Sequence, residues 1–401
     1  MQRRTLLASL AAAALPCRAR AEGAPLRIGV LNDMSGVYAD YQGAGSVIAA
    51  RLAAEDFGGG AAGHPIEIVS GDHQNQPDVG AAIARRWFDT EGIAMILDVP
   101  NSAVALAVAE IARQKNKLFI GSGAGTDALT GTKCSPNTIH WTYDTWEAGH
   151  ALARAVLARG GRKWFFITAD YAFGHVLESN MADEVRAGGG EVVGAARHPL
   201  GATDYASYLV QAQTSGADVL GLANAGGDMS NTLKQAAEFG LGGKITIAGP
   251  VVNINNIAAV GLAVCEGLLA VTPFYWDMTE ATRAFAARFA ARHPHGNMPN
   301  DMQAGCYAAT LAYLKAVASL GGADDGAAVA ASMKMAPAED PLFGRSDIRA
   351  DGRVTHPVYL MQAKRPADSH GAWDVFSLLD TIPPDRAFRP LADGKCPLVK
   401  A

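Results

Sequence analysis

Short runs rich in Val, Ile and Leu alternate with helix-length amphipathic stretches along most of the chain, and this rhythm stops once and restarts. A strand that returns through a helix to lie beside its parallel neighbour builds a doubly wound α/β sheet with helices on both faces. Strands are predicted at 26–31, 65–69, 94–97 and 117–120, with helices at 43–57, 77–90 and 102–113. The first helix runs into Gly58-Gly59-Gly60, a C-terminal stop. A loop rich in Gly, Thr, Pro and Asn then fills 121 to about 143. A loop that long inside a compact domain is either functional or a passage between domains. After it, strands are predicted at 164–168, 191–197, 219–223 and 244–248, and helices at 146–158, 174–187, 205–214 and 229–239. A second polar passage at 249–256 leads to a strand at 266–272, helices at 280–292 and 301–320, and tail strands at 355–362 and 373–378.

Two half-chains of one rhythm imply two doubly wound α/β lobes joined by a multi-strand hinge and facing each other across a cleft. Ligands of open α/β sheets sit beyond the carboxyl ends of the strands, and hinge closure wraps such a ligand from both sides. The expected division is a leader at 1–21, a first lobe from 22–122 plus 250–345, a second lobe from 123–249 plus about 346–380, and a tail at 381–401.

Arg3 and Arg4, the small and apolar run at 5–15 and the Ala19-Arg20-Ala21 step read as a secretory leader cleaved near Ala21. The apolar run is too short to span a bilayer, and no later stretch approaches the roughly eighteen apolar residues that would. The arginine pair also suits twin-arginine export. Pro16 stands where lipidation of Cys17 wants a small residue. The expected location is the periplasm, with no membrane insertion. The full chain carries net charge −5, and the leader holds four arginines and no acid, so removing it leaves about −9. That balance disfavours nucleic acid as a partner.

Cys134, Cys265, Cys306 and Cys396 remain after the leader, and four cysteines permit three pairings. Cys134 and Cys396 stand in Pro-flanked, loop-like contexts and are the expected disulfide; Cys265 and Cys306 have apolar neighbours and suit buried thiols. Catalytic signatures are missing from the sequence: no Cys-x-x-Cys, no G-x-S-x-G and no Walker A occurs. The Gly121 to Gly125 run lacks dinucleotide spacing, and His293-Pro294-His295 reads as a helix stop.

The run Arg27-Ile28-Gly29-Val30-Leu31-Asn32-Asp33-Met34-Ser35-Gly36 resembles the first strand and loop of leucine/isoleucine/valine-binding proteins. So do Asp170-x-x-Phe173-Gly174, the helix from Leu233-Lys234-Gln235-Ala236 to Gly240-Leu241, and Glu266-Gly267-Leu268-Leu269. These elements occur in order over about 25–365. The resemblance implies a type I periplasmic binding protein: a monomeric, non-enzymatic receptor without cofactor or metal that delivers a small molecule to the membrane permease of an ABC importer. It also implies ligand contacts at Tyr41, Ser102, Ala124, Thr126 and Phe173. Two places depart from the amino-acid binders. Val251 follows Gly249-Pro250 where they carry an acid for the ligand's ammonium, and the loop from Asn224 to Gly227 lacks their aromatic residue.

A helix beginning near Ser102 would present free N–H groups and a partial positive charge to a carboxylate. Ser102, Ser122 and Thr126 add hydroxyl donors, although Ser102 also reads as a helix N-cap. Aromatic residues crowd the cleft loops at Tyr38, Tyr41, Trp141, Tyr143, Trp146, Tyr171 and Phe173. Flat apolar walls with polar edges suit an aromatic body, while Trp141 and Trp146 equally suit packing in the hinge. A buried ammonium without a charge partner is very costly, so the favoured ligand is an aromatic or other apolar carboxylate. The alternatives are a branched-chain amino acid or amide, with Asp98, Asp170 or Asp228 replacing the missing acid, and a component of a ligand-sensing receptor.

Overall fold

The computed structural model describes residues 23–335 and 338–399; the expected leader lies outside them. The first sheet is built from β1 (Leu26–Asn32), β2 (Gly60–Ala61), β3 (His64–Asp72), β4 (Ile93–Asp98), β5 (Leu118–Gly121) and β6 (Thr138–His140). Their order is β2-β3-β1-β4-β5-β6, all parallel except the small β2–β3 hairpin. Helices α1 (Gly43–Asp56), α2 (Pro77–Asp89) and α3 (Ser102–Gln114) supply the crossovers. Alternation along the strands decides which helices each face meets. Ile28, Val30, Met95 and Leu97 join one core with α1, while Leu31 and Ile96 join the other with α2 and α3.

The second sheet repeats the plan with β7 (Lys163–Ala169), β8 (Glu191–His198), β9 (Val219–Ala223), β10 (Thr246–Ala248) and β11 (Leu269–Thr272). Its helices are α4 (Thr145–Ala158), α5 (Ala172–Ala187), α6 (Ala206–Thr214), α7 (Gly226–Glu238), α8 (Ile254–Val260) and α9 (Leu262–Cys265). Trp164 and Phe166 pack with α4 and α5, and Phe165 and Ile167 pack with α6 and α7. The chain then returns to the first sheet through α10 (Glu280–Ala290), α11 (Asp301–Leu320) and α12 (Gly326–Met335). Fourteen residues of α11 are buried, because it is wedged between α1 and the hinge rather than laid on a surface. A three-stranded sheet of β12 (Ala338–Asp340), β13 (Gly344–Ile348) and β14 (Val354–Thr355) follows. Antiparallel β15 (Val358–Ala363) and β16 (Phe376–Ile382) then close the second sheet as β16-β15-β11-β10-β9-β7-β8, ahead of the short α13 (Pro384–Ala387).

The sheets divide the chain elsewhere than the expected boundaries. Strand β6 pairs with β5 in the first sheet, so the first passage falls after His140 and not at 122. Strand β11 pairs with β10 and β15 in the second sheet, so residues 269–272 belong there and not with the first lobe. Strands of three and four residues carry too little period to reveal their sheet. The expected passage at 249–256 contains the start of α8, which Asn253 caps by accepting from Asn255 N.

Cys134 and Cys396 form the expected disulfide, their Cα atoms 5.6 Å apart, and Cys265 and Cys306 are buried free thiols. Among the described residues no helix is long and apolar enough to cross a membrane.

Candidate functional site

Both sheets reverse their strand order once, between β1 and β4 in the first and between β7 and β9 in the second. At such a switch point the flanking loops diverge to opposite faces and leave a crevice. The two crevices face each other and enclose one cavity. Tyr38, Tyr41 and Gln42 follow β1, Pro100 follows β4, Gly123 follows β5, and Tyr143 follows β6. From the second lobe come Tyr171 and Phe173 after β7 and Ala225 after β9. None of these side chains carries a charge. A larger hollow of about 480 Å³ lies at the opposite, amino-terminal edge of the second sheet, beside Asp218, Thr246 and Glu266. It sits where open α/β sheets do not hold ligands, so the smaller interlobe cavity is the candidate site.

The lobes are closed. The void between them is about 10 Å³, roughly the room of one water. Tyr38 and Tyr171 share a hydrogen bond between their hydroxyls across the cleft. Gly227 N donates to Val37 O at 2.8 Å, and Asn255 Nδ2 donates to Asp40 O at 3.0 Å. Gly226 makes this approach possible. Its φ is +62°, and a Cβ there would stand 2.3 Å from Val37 O.

On the first lobe, the turn from β4 to α3 holds Asp98 and Val99 at φ of +87° and +58°. Non-glycine residues rarely adopt this region, and such backbone concentrates at functional sites. Asp98 is fully buried and ties three cleft loops together. It accepts from Asn32 Nδ2 at 3.0 Å and from Ser122 Oγ at 3.4 Å, and its backbone carbonyl accepts from Gly123 N at 3.3 Å. Burial pushes its carboxyl up to about 6, opposed by its hydrogen bonds from Asn32 and Ser122.

The N-cap of α3 is Asn101, whose side chain accepts from Ala103 N and Val104 N at 3.0 and 3.2 Å. This corrects the capping reading of Ser102. Ser102 is the first helical residue, and its hydroxyl is buried without a hydrogen-bond partner. The other expected contacts separate into two groups. Tyr41, Tyr171 and Phe173 line the cavity. Val251 touches it indirectly, its carbonyl 2.9 Å from the Tyr41 hydroxyl, which also contacts Asn256 Oδ1.

Ser122, Ala124, Thr126 and Asn224 lie outside the lining. Ser122 Oγ bonds Asp98 and lies 2.9 Å from Cys306 Sγ. The carbonyl of Ala124 meets His140 Nε2 at 2.5 Å. Thr126 caps the turn at Asp127–Thr130. Asn224 bonds His198 and Thr232 at 3.2 and 3.1 Å. None of the three candidate acids reaches the lining. Asp170 is exposed and 2.7 Å from His175, Asp228 accepts from Gly201 N, and Asp98 stands behind Gly123. Trp141 packs in the first-lobe core and Trp146 stacks on His150, so both belong to packing. Gln42, Pro100, Gly123 and Ala225 are lining residues that no sequence signal singled out, because a lone Gln, Pro, Gly or Ala carries no motif.

The hinge beside the site is charged and dry. Arg353 is 1% exposed. It lies 3.5 Å from Asp144, bonds the carbonyl of Thr142, and covers the Phe388 ring at 4.5 Å. Asp144 and Glu147 cap α4 reciprocally.

The sequence model of the family described as Periplasmic binding protein matches residues 25–371. The chain belongs to that family. A family member is the substrate-binding component of an ABC transporter, exported to the periplasm, and its partners are a small-molecule substrate and a membrane permease. The Leu/Ile/Val-binding protein homolog 6 of Brucella abortus (strain 2308) is 25% identical over 356 residues, covering 86% of this chain and 88% of its own. A periplasmic binding protein of Burkholderia mallei superposes with a TM-score of 0.91 at 42% identity, covering 94% of this chain and 99% of that one. A branched-chain amino acid ABC transporter periplasmic ligand-binding protein of Burkholderia xenovorans LB400 gives 0.82 at 40% identity, with 93% and 99% covered. A solute-binding protein of R. palustris in complex with benzoate shares the fold at a TM-score of 0.81 and 23% identity, with 90% and 97% covered.

Proposed function

We propose that this binding protein carries an aromatic or similarly apolar carboxylate. The observation that supports the reading most is the lining of the interlobe cavity: four tyrosines and a phenylalanine, with no charged side chain. Such walls favour a flat apolar body and leave an ammonium group without a counter-charge. The carboxylate would meet the N-terminal turn of α3 beside Pro100, where Ser102 keeps a hydroxyl without a partner and the helix dipole favours an anion. A ring has room only when the lobes part, so binding is coupled to hinge motion. The second reading, a branched-chain amino acid, is favoured by the 40% identical Burkholderia xenovorans protein. It needs a carboxylate for the ammonium, and Asp98 behind Gly123 is a buried candidate.

Thermal shift and titration calorimetry of the mature protein against benzoate, leucine, valine and short amides separate the two readings. A ligand at about one hundred times its Kd stabilises the folded state by roughly 2.7 kcal/mol. The expected result is a shift with benzoate and none with leucine or valine. A shift with leucine or valine alone would overturn the aromatic reading.

A further inference from the structure

Gln42 occupies the N-cap position of α1, where short polar residues normally spend their side chain on the helix's free N–H groups. It makes no side-chain cap hydrogen bond. Instead its side chain turns into the interlobe cavity, where it is 1% exposed. The amide Nε2 lies 2.7 Å from the sulfur of Met302. A thioether only accepts, so the amide nitrogen must face it and the carbonyl oxygen is left over. That oxygen, Oε1, is buried with no partner. The other hydroxyls of the lining have partners: Tyr38 and Tyr171 bond each other, and Tyr41 meets Val251 and Asn256. The Tyr143 hydroxyl donates to Gly123 O at 3.3 Å. Among the described side chains lining the cavity, Gln42 alone holds a buried polar atom that nothing in the protein satisfies.

A buried acceptor without a donor is a standing loss, and a ligand that brings the donor recovers it. We infer that Gln42 is a specificity-determining residue, selecting aromatic acids that carry a hydroxyl able to donate to Gln42 Oε1. The inference rests on the aromatic-carboxylate reading and names the substituent that reading leaves open. The wall opposite suits the role. Gly123 presents no side chain, and a Cβ there would stand 2.9 Å from Gln42 Nε2, so a larger residue would displace the amide. A site built around an unpaired acceptor rejects the analogue lacking the donor far more strongly than an apolar pocket rejects a missing methylene.

The test measures Kd for benzoate, cyclohexanecarboxylate and the three monohydroxybenzoates on the wild-type protein and on Gln42→Leu and Gln42→Glu. The expected result is that one hydroxybenzoate binds the wild type about ten- to a hundredfold more tightly than benzoate. Gln42→Leu should bring that ratio to within about twofold, and Gln42→Glu, which keeps an acceptor, should retain the preference. The unliganded melting temperature and the circular dichroism spectrum report whether Gln42→Leu has disturbed the fold. If it has, the ratio in Gln42→Glu decides, and its loss there counts against the inference. Equal binding of benzoate and all hydroxybenzoates by the wild type overturns the role of Gln42 while leaving the aromatic reading intact. If no aromatic acid binds at all, both fall.

Discussion

Glu147 and Asp301 are buried carboxyls beside the hinge, and burial pushes them up to about 8 and about 7. Arg353 pulls Glu147 down and Asp144 pushes it further up, but neither reverses the effect of burial. Glu147 also keeps Oε1 without a partner. Both acids hold a proton in the folded protein that the unfolded chain releases near pH 4. The folded values lie above the unfolded ones, so this contribution is complete below about pH 4 and is lost as pH rises through about 7 to 8. Each acid costs up to about 1.4 kcal/mol per pH unit between its unfolded and its folded value, and the loss levels off above the folded value. His140 and His356 are pushed down to about 4 by burial and act oppositely. Their contribution is present above about pH 6.5 and is lost as pH falls toward 4. A melting series from about pH 6.5 to 8.5 therefore isolates the acids. The melting temperature should fall across that range, and Asp301→Asn should flatten the fall; an unchanged slope in the variant would show that Asp301 is ionised throughout.

Among the elements, the C-terminal segment is held by one covalent and one ionic tie to the same stretch of the first lobe. The Cys134–Cys396 disulfide spans 262 residues. Arg389 donates to Asp127 Oδ2 at 3.1 Å and to Asp127 O at 2.9 Å. Phe388, just before Arg389, lies under Arg353. A chain-spanning cross-link restricts the unfolded ensemble strongly, and losing a native one typically removes about 2–5 kcal/mol. Cys396→Ser should lower the melting temperature by that equivalent, and a reducing agent should have the same effect on the wild type alone. Limited proteolysis with mass spectrometry should then cut first within residues 383–399. Cleavage elsewhere first would mean that the segment is held by packing and not by the tie.

For the whole molecule, the decisive feature is a closed cleft fastened by few bonds. Tyr38–Tyr171, Gly227–Val37, Asn255–Asp40, Asn300–Asn255, and Tyr41 with Val251 and Asn256 join the lobes. A single net hydrogen bond of about 0.5–1.5 kcal/mol shifts a two-state balance roughly two- to tenfold. Tyr171→Phe removes one, so the unliganded variant should be more open. Small-angle scattering of the unliganded proteins should give a larger radius of gyration for the variant than for the wild type. An unchanged radius would show that the tyrosine pair does not hold the lobes together.

The strand–helix rhythm alone fixed the two-lobed architecture, because alternation within strands and period within helices are local consequences of what must be buried. It placed Leu26–Asn32, Val219–Ala223 and Asp301–Leu320 closely, and the Pro-flanked contexts picked out the Cys134–Cys396 pair. Tyr41, Tyr171 and Phe173, candidates from the sequence, follow strands β1 and β7 and line the interlobe cavity. What remained hidden depends on partners distant in sequence. Strand β6 declares its sheet only by pairing with β5, and Asn101 takes the cap because Ser102 has already entered the helix. Ser122 is spent on Asp98 and Cys306, while Gln42 is left with a bare carbonyl because Met302, 260 residues away, takes its amide nitrogen. Which polar groups are satisfied inside the protein, and which are left for a ligand, is settled only when segments distant in sequence pack against each other.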